Sequence, residues 1–304
     1  MKKYSILSVV LAVLLILSAC GFCDEWQELV ENIGNGSINW TKGKIQARGV
    51  GASPEEYYGK PMARPMALRA ARLDAIRNLL EVTQGVRIDS NTVVKDFAVT
   101  NDVIMAKISG MVKGTQIVKQ EYLSDGTVEV TMQMSLYGGF AQLVLPQEIK
   151  QVESIKPVLS QTITPEASFL SVEPAKVSPA IPSKTVEKPT SEIFTGLIVN
   201  AKGLNARPAM SPKIIDENGQ EVYGSAFVSR EYAVQQGMSG YAKDMTVAQS
   251  NPRVTNNPLT VKGLKTEGPG KADIVISNAD AFRLRSAFEH LSFMKKCRAI
   301  IVVD

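Results

Sequence analysis

A proline-rich segment divides this 304-residue chain into two folding units. Between Gln147 and Ser191 stand Pro157, Pro165, Pro174, Pro179, Pro182 and Pro189, among Ser, Thr, Val, Lys and Glu. Proline lacks the backbone N–H that helices and sheets need, so this stretch is a linker and not a packed element. In polyproline form it reaches at most roughly 140 Å. The flanking segments, residues 20–146 and 192–304, are each long enough for one domain.

The N-terminus carries a second constraint. Lys2 and Lys3 precede an apolar run from Ile6 to Ala19 broken only by Ser8 and Ser18. At about 14 residues the run is shorter than the roughly 20 a membrane-spanning helix needs. It has the form of a secretory signal peptide over residues 1–19. Its end, Leu17-Ser18-Ala19-Cys20, resembles a bacterial lipobox, which implies cleavage before Cys20 and lipidation of that cysteine, with acyl chains such as palmitate. Gly21 in place of Asp implies, by the same resemblance, the outer membrane, on its periplasmic side. One alternative is cleavage after Cys23, giving a soluble periplasmic protein; another is an uncleaved segment. Cys20 is the one residue to which the sequence assigns a chemical role.

The net charge of +4 includes +2 from Lys2 and Lys3. The rest divides into about −1, 0 and +3 over residues 20–146, 147–191 and 192–304. No basic block makes a case for nucleic acid. The three cysteines and the single histidine, His290, match no zinc spacing. Cys23 and Cys297 form a conceivable disulfide in an oxidising envelope; the plainer expectation is a small buried Cys297.

In the first domain, Asp24 to Gly34 predicts a short helix. Trp26, Leu29, Val30 and Ile33 form its apolar stripe, opposite Glu25, Glu28 and Glu31. Ile38 to Val50 predicts a strand, with Trp40, Ile45 and Ala47 as core. The strongest pattern is a helix from Pro65 to Gln84, its apolar stripe Met66, Ala70, Leu73, Ile76 and Leu80, widened by Ala67 and Leu79. Arg69, Arg72, Asp74, Arg77 and Asn78 fall on its solvated face. Val86 to Val94 is β-rich, and Asn101 to Ile108 predicts a short helix. Thr115–Leu123, Asp125-Gly126 and the alternating run Val128 to Leu136 spell a hairpin with one buried face. One long helix on an antiparallel sheet makes an α+β domain.

The second domain predicts a mixed α/β unit. Strands fall at Phe194–Val199, Lys213–Asp216, Gln220–Tyr223, Leu259–Val261, Asp273–Ser277 and Arg298–Val303. Short helices fall near Arg230–Gln236 and Ala242–Gln249. Ser277 with Asp280 forms a capping box for a helix to about Lys296, with Ala281, Leu284, Phe288 and Leu291 apolar. Strand, helix and apolar strand suggest a right-handed βαβ unit, with an antiparallel return as the alternative.

Motifs in the first domain carry a resemblance. They are Gly43-x-Ile45-x-Ala47-x-Gly49-x-Gly51, Ala67-x-Arg69-Ala70-Ala71-x-x-Asp74-Ala75-x-Arg77-Asn78-Leu79-Leu80, Gly85-Val86 and Asp125-Gly126-Thr127-Val128. Residues 40–136 resemble the Lpp-twenty lipoprotein family and are similar to the N-terminal domain of flagellar assembly protein T. The resemblance implies an exported or outer-membrane-associated α+β domain without enzymatic activity; some relatives serve the flagellar basal body. In the linker and second domain no family is recognised from the residues.

Catalytic and cofactor signals are sparse. Gly49-Val50-Gly51 is followed by Pro54 and opens no helix, so it is not a dinucleotide loop. His290, beside Glu289, has no nucleophile elbow with it. The expectation is a non-enzymatic envelope lipoprotein, held to the membrane through its lipidated N-terminus, that acts as a structural or protein-binding module without cofactor or metal. Its partner is another envelope protein, and the linker lets the second domain reach it. The alternative is a soluble periplasmic or envelope-associated hydrolase using paired carboxylates.

Overall fold

The computed structural model describes residues 27–99, 101–147, 149, 194–286 and 291–304. The signal segment with Cys20 and Cys23, almost all of the linker, and His290 lie outside the described residues.

The first domain is a five-stranded antiparallel sheet, order β1-β2-β3-β5-β4, under one long helix. Its strands are β1 (Val30–Ile33), β2 (Gly36–Asn39), β3 (Lys44–Gly51), β4 (Ile117–Tyr122) and β5 (Val128–Ser135). Its helices are α1 (Ala63–Gln84), α2 (Val94–Val99), α3 (Asp102–Lys113) and α4 (Gly139–Val144). The helix expected over Asp24–Gly34 is a correction, because Val30–Ile33 is a strand. Ile33 pairs with Gly36 across a two-residue loop, Gly34-Asn35. Gly34 takes φ +51°, which glycine adopts without steric cost. This turn chemistry and the pairing of Glu31 with Ile38 override the helical spacing. The single strand expected at Ile38–Val50 is two strands, folded back through a turn with Gly43 at φ +63°. Of the β-rich run Val86–Val94, one isolated bridge remains, Arg87 to Val93, before α2 begins.

The hairpin β4–β5 follows its alternation. Val128, Val130, Met132 and Leu136 are buried. Asp125 Oδ1 accepts from Thr127 N at 2.9 Å, and Gly126 sits at φ +86°. Asn101 caps α3 by accepting from Ile104 N at 3.3 Å.

Helix α1 spans the expected range, but a different face is buried. Ala67, Ala71, Ala75, Leu79 and Val82 are buried, while Leu73 is 60% exposed. Small residues set this orientation. A Cβ on Gly49 would fall on the backbone of Ala71 and Ala75, and one on Gly51 on that of Ala67 and Ala71. Helix and strand therefore meet nearly backbone to backbone, and larger side chains are displaced to the flanks. Asp74 and Asn78, expected in solvent, also turn to the sheet. Val50 N donates to Asp74 Oδ2 (3.1 Å), and Asn78 Nδ2 donates to the carbonyl of Arg48 (2.8 Å). They satisfy β3 where β2 no longer pairs with it.

The second domain is a seven-stranded mixed sheet, order β8-β7-β11-β10-β6-β12-β9. The strands are β6 (Gly196–Asn200), β7 (Ile214–Asp216), β8 (Glu221–Tyr223), β9 (Gly240–Ala242), β10 (Pro258–Glu267), β11 (Asp273–Ile276) and β12 (Ala299–Val302). Helices are α5 (Arg230–Gln236), α6 (Met245–Gln249), α7 (Asn278–Ser286) and α8 (Leu291–Lys295). Central β6 and β12 are parallel and buried on both faces, which is why they are continuous apolar runs. The capping box forms: Asp280 N donates to Ser277 Oγ at 3.1 Å. The suggested βαβ unit is a correction. β11 is antiparallel to β10, and β10 is parallel to β6, as is β12. The chain from β11 to β12 therefore returns antiparallel, because the long β10 folds straight back into β11 as a hairpin.

One continuous apolar core runs from Leu29 and Trp40 in the first domain to Ile301 and Val303 in the second. The two domains are packed together, and the linker does not hold the second at a distance from the first. Among the described residues, no helix is long and apolar enough to cross a membrane.

Candidate functional site

The densest polar chemistry lies where the domains meet. Glu31 is supplied by β1, Arg87 by the segment after α1, and Arg207 by the loop after β6. Arg87 Nη1 donates to Glu31 Oε1 at 2.9 Å, Nη2 donates to Glu31 Oε2, and Nε donates to the carbonyl of Pro208 at 2.8 Å. Arg207 adds a third guanidinium bond to Glu31, at 3.1 Å. Trp40 Nε1 completes the carboxylate's partners at 3.1 Å, and its ring lies 5.9 Å from the Arg87 guanidinium. Burial pushes the Glu31 carboxyl up, but Arg87, Trp40 and Arg207 together outweigh it and hold it below the usual range.

Trp40 meets Tyr241 edge to face, centroids 5.9 Å apart at 70°. The Tyr241 hydroxyl donates to the carbonyl of Ala209 (2.8 Å) and accepts from its N–H (2.9 Å). Burial pushes this phenol up to about 12, so it stays neutral. Backbone bonds run alongside, Met210 N to Arg87 O (3.0 Å) and Ser211 N to Ile88 O (2.7 Å).

Two further contacts lock the junction. Ser90 is 1% exposed and fits the turn between β10 and β11. Its Oγ accepts from Ala272 N (3.0 Å) and Asp273 N (2.8 Å) and donates to Glu267 O (3.1 Å). Gly268 and Gly270 have no room for a Cβ against Ser90. The Tyr137 ring fills the space a Cβ would need at both Gly43 and Gly237, one glycine from each domain. Arg230 donates to the carbonyls of Pro146 (2.8 Å) and Gln142 (3.0 Å), capping α4 from the second domain.

The cavity between Trp40, Tyr137, Ser239 and Tyr241 holds about 20 Å³, enough for about one water. This cavity has no room for a ligand larger than water, and the bonds around it clamp the two domains together. A larger cleft of about 460 Å³ opens on the first domain beside the Gly34-Asn35 turn, lined by Asn32, Asn35, Ser37, Gln46, Arg48 and Thr131. Its groups are amides, hydroxyls and one guanidinium, which suit hydrogen bonding. Arg48 is paired with Glu129 at 2.7 Å.

Cys20, the site residue expected from sequence, lies outside the described residues, as do Cys23 and His290. Cys297 is free and buried, as the plainer expectation has it. Burial pushes its thiol up to about 12, against the pull of Arg253 and Tyr223. Arg69, Arg72 and Arg77 are exposed. Among the described residues, no group of three His, Cys, Asp or Glu side chains is placed to hold a metal. Sequence reasoning missed Glu31, Arg87 and Arg207, which share no motif. The one legible signal of close packing was the pairing of Gly49-x-Gly51 with Ala67, Ala71 and Ala75.

These features define a two-domain α+β protein whose halves are clamped into one body. Residues 196–304 match the family described as the second domain of Tp0624 of Treponema pallidum, so that the unit without a recognised family is similar to the second domain of that protein. The match covers about a third of the chain and leaves residues 40–136 outside it. No curated protein matches the chain.

Proposed function

We propose that the protein is a non-enzymatic lipoprotein of the bacterial cell envelope, tethered through Cys20 to the outer membrane and serving as a rigid structural or protein-binding block. The observation that carries this reading is the position of Glu31. It lies eleven residues after Cys20, on the first strand, and bonds residues of both domains. From Cys20 to Gln27 the chain spans at most about 25 Å. A lipid on Cys20 would therefore keep both domains beside the bilayer. The partner is an envelope protein. The resemblance of residues 40–136 to the Lpp-twenty family and to flagellar assembly protein T supports a role in flagellar or surface assembly.

The test is mass spectrometry of the mature N-terminus together with fractionation of Cys20→Ala. Acylated Cys20, and a variant that is released or unprocessed, is the expected result. An unmodified N-terminus beyond Cys20 with unchanged fractionation overturns the anchor. Crosslinking in intact cells then identifies the neighbour.

A further inference from the structure

Strand β4 forms a free edge of the first sheet, and its side chains are unusually open. Val118 is 55% and Tyr122 53% exposed, and Lys119 and Glu121 stand in solvent. The hydrogen-bond parity of this edge is fixed by its partner strand. Leu123 N donates to Thr127 O at 2.9 Å. Stepping by two along the register, Glu121 with Glu129 and Lys119 with Thr131 direct their backbone groups inward to β5. Gln120 and Tyr122 therefore direct their N–H and C=O groups outward, where, among the described residues, no strand pairs with them; at Val118 a bulge interrupts the ladder.

We infer that this edge pairs with the same edge of a second copy of the chain, antiparallel, about a two-fold axis at Gln120. Charge selects the occupant and the register. Outward groups must pair with outward groups, which allows three registers built on Gln120 and Tyr122. Pairing Tyr122 with Tyr122 sets Glu121 against Leu123, at the strand's end. Pairing Gln120 with Tyr122 sets Glu121 against Glu121. Pairing Gln120 with Gln120 sets Lys119 against Glu121 twice. The third register alone places unlike charges of the strand opposite each other. A two-fold contact is self-complementary by construction. The charges that discourage a foreign strand at an open edge thus favour the chain's own copy. The Lys119–Glu121 pair within each of the two chains, 2.8 Å, is exchanged for two such pairs between them.

Sedimentation equilibrium of the purified full chain in detergent tests the pairing. Wild type should show concentration-dependent dimers. Lys119→Glu and Glu121→Lys each set like charges opposite, and each should weaken self-association roughly tenfold. Mixed together, these two variants should form a heterodimer, since every facing pair is again of unlike charge. Gln120→Pro removes an outward N–H without touching the ladder to β5 and should also abolish pairing. Circular dichroism of each variant separates loss of pairing from loss of folding. A wild type that stays monomeric, variants that dimerise as well as wild type, or a mixture without heterodimer each overturn the inference. So does association that survives Gln120→Pro.

Discussion

The Glu31 carboxylate and the Arg87 guanidinium face each other through two parallel N–H···O bonds at the seam between the domains. Arg87 is almost fully buried, its side chain 8% exposed, and Glu31 22%. Arg87 also reaches Pro208 of the second domain, so one side chain belongs to both halves.

Removing one partner of such a pair leaves a buried charge uncompensated, at a cost of about 3–5 kcal/mol. Arg87→Met should therefore destabilise the protein by about 3 kcal/mol in denaturant unfolding. Arg77→Met, an exposed arginine on α1, serves as control and should change stability by less than about 0.5 kcal/mol. Equal effects from the two would remove the clamp from the account.

The junction should loosen in acid. Glu31 has its carboxyl lowered from 4.5 in the folded state. A lowered acid stabilises the fold fully above its unfolded value, and that stability is lost as pH falls through the folded value. Asp273 opposes this, because burial raises its carboxyl above 3.8. Hydrogen exchange of residues 87–92 and 268–273 should accelerate below about pH 4.5 in wild type. In Glu31→Gln the exchange should already be fast at neutral pH and lack that step. An identical acid profile in both proteins would contradict the linkage.

The same substitution should have opposite effects at two glycines. Gly49→Ala drives a methyl into the backbone of α1 and should cost about 3 kcal/mol. Gly110 is exposed within α3 and has open space around it, so Gly110→Ala should stabilise by about 0.5–1 kcal/mol. Thermal melts of the pair decide it; a tolerated Gly49→Ala would mean that the close helix–strand seat is not required.

The Cys297 thiol, buried and pushed up to about 12, should be inert. In the Cys20→Ala, Cys23→Ala background, labelling by iodoacetamide at pH 8 should be negligible for the native protein and rapid after denaturation. Fast native labelling would show that the last helical turn opens readily.

The hairpin β4–β5 was legible because its signals are local: the alternation of β5, and a turn that Asp125 and Gly126 favour. The strands β6 and β12 were legible as unbroken apolar runs. The failures share a cause as well. Trp26, Leu29, Val30 and Ile33 keep helical spacing, yet Val30–Ile33 is a strand, because its partner β2 lies just beyond a two-residue turn and pairing outweighs spacing. The stripe through Leu73 followed side-chain size, whereas α1 is seated by its smallest residues, since only alanine over glycine lets two backbones approach so closely. Asp74 and Asn78 are polar and so were assigned to solvent; unpaired groups of β3 claimed them instead.

By itself the sequence determined the division into two α+β units and most of their elements. Composition, periodicity and turn chemistry act over a few residues and can be read in order. Only the tertiary structure decided that the halves form one body. Glu31 and Arg207, or Ser90 and Gly270, are about 180 residues apart. Their bonds depend on burial and on the geometry of two finished sheets, and no local pattern encodes either.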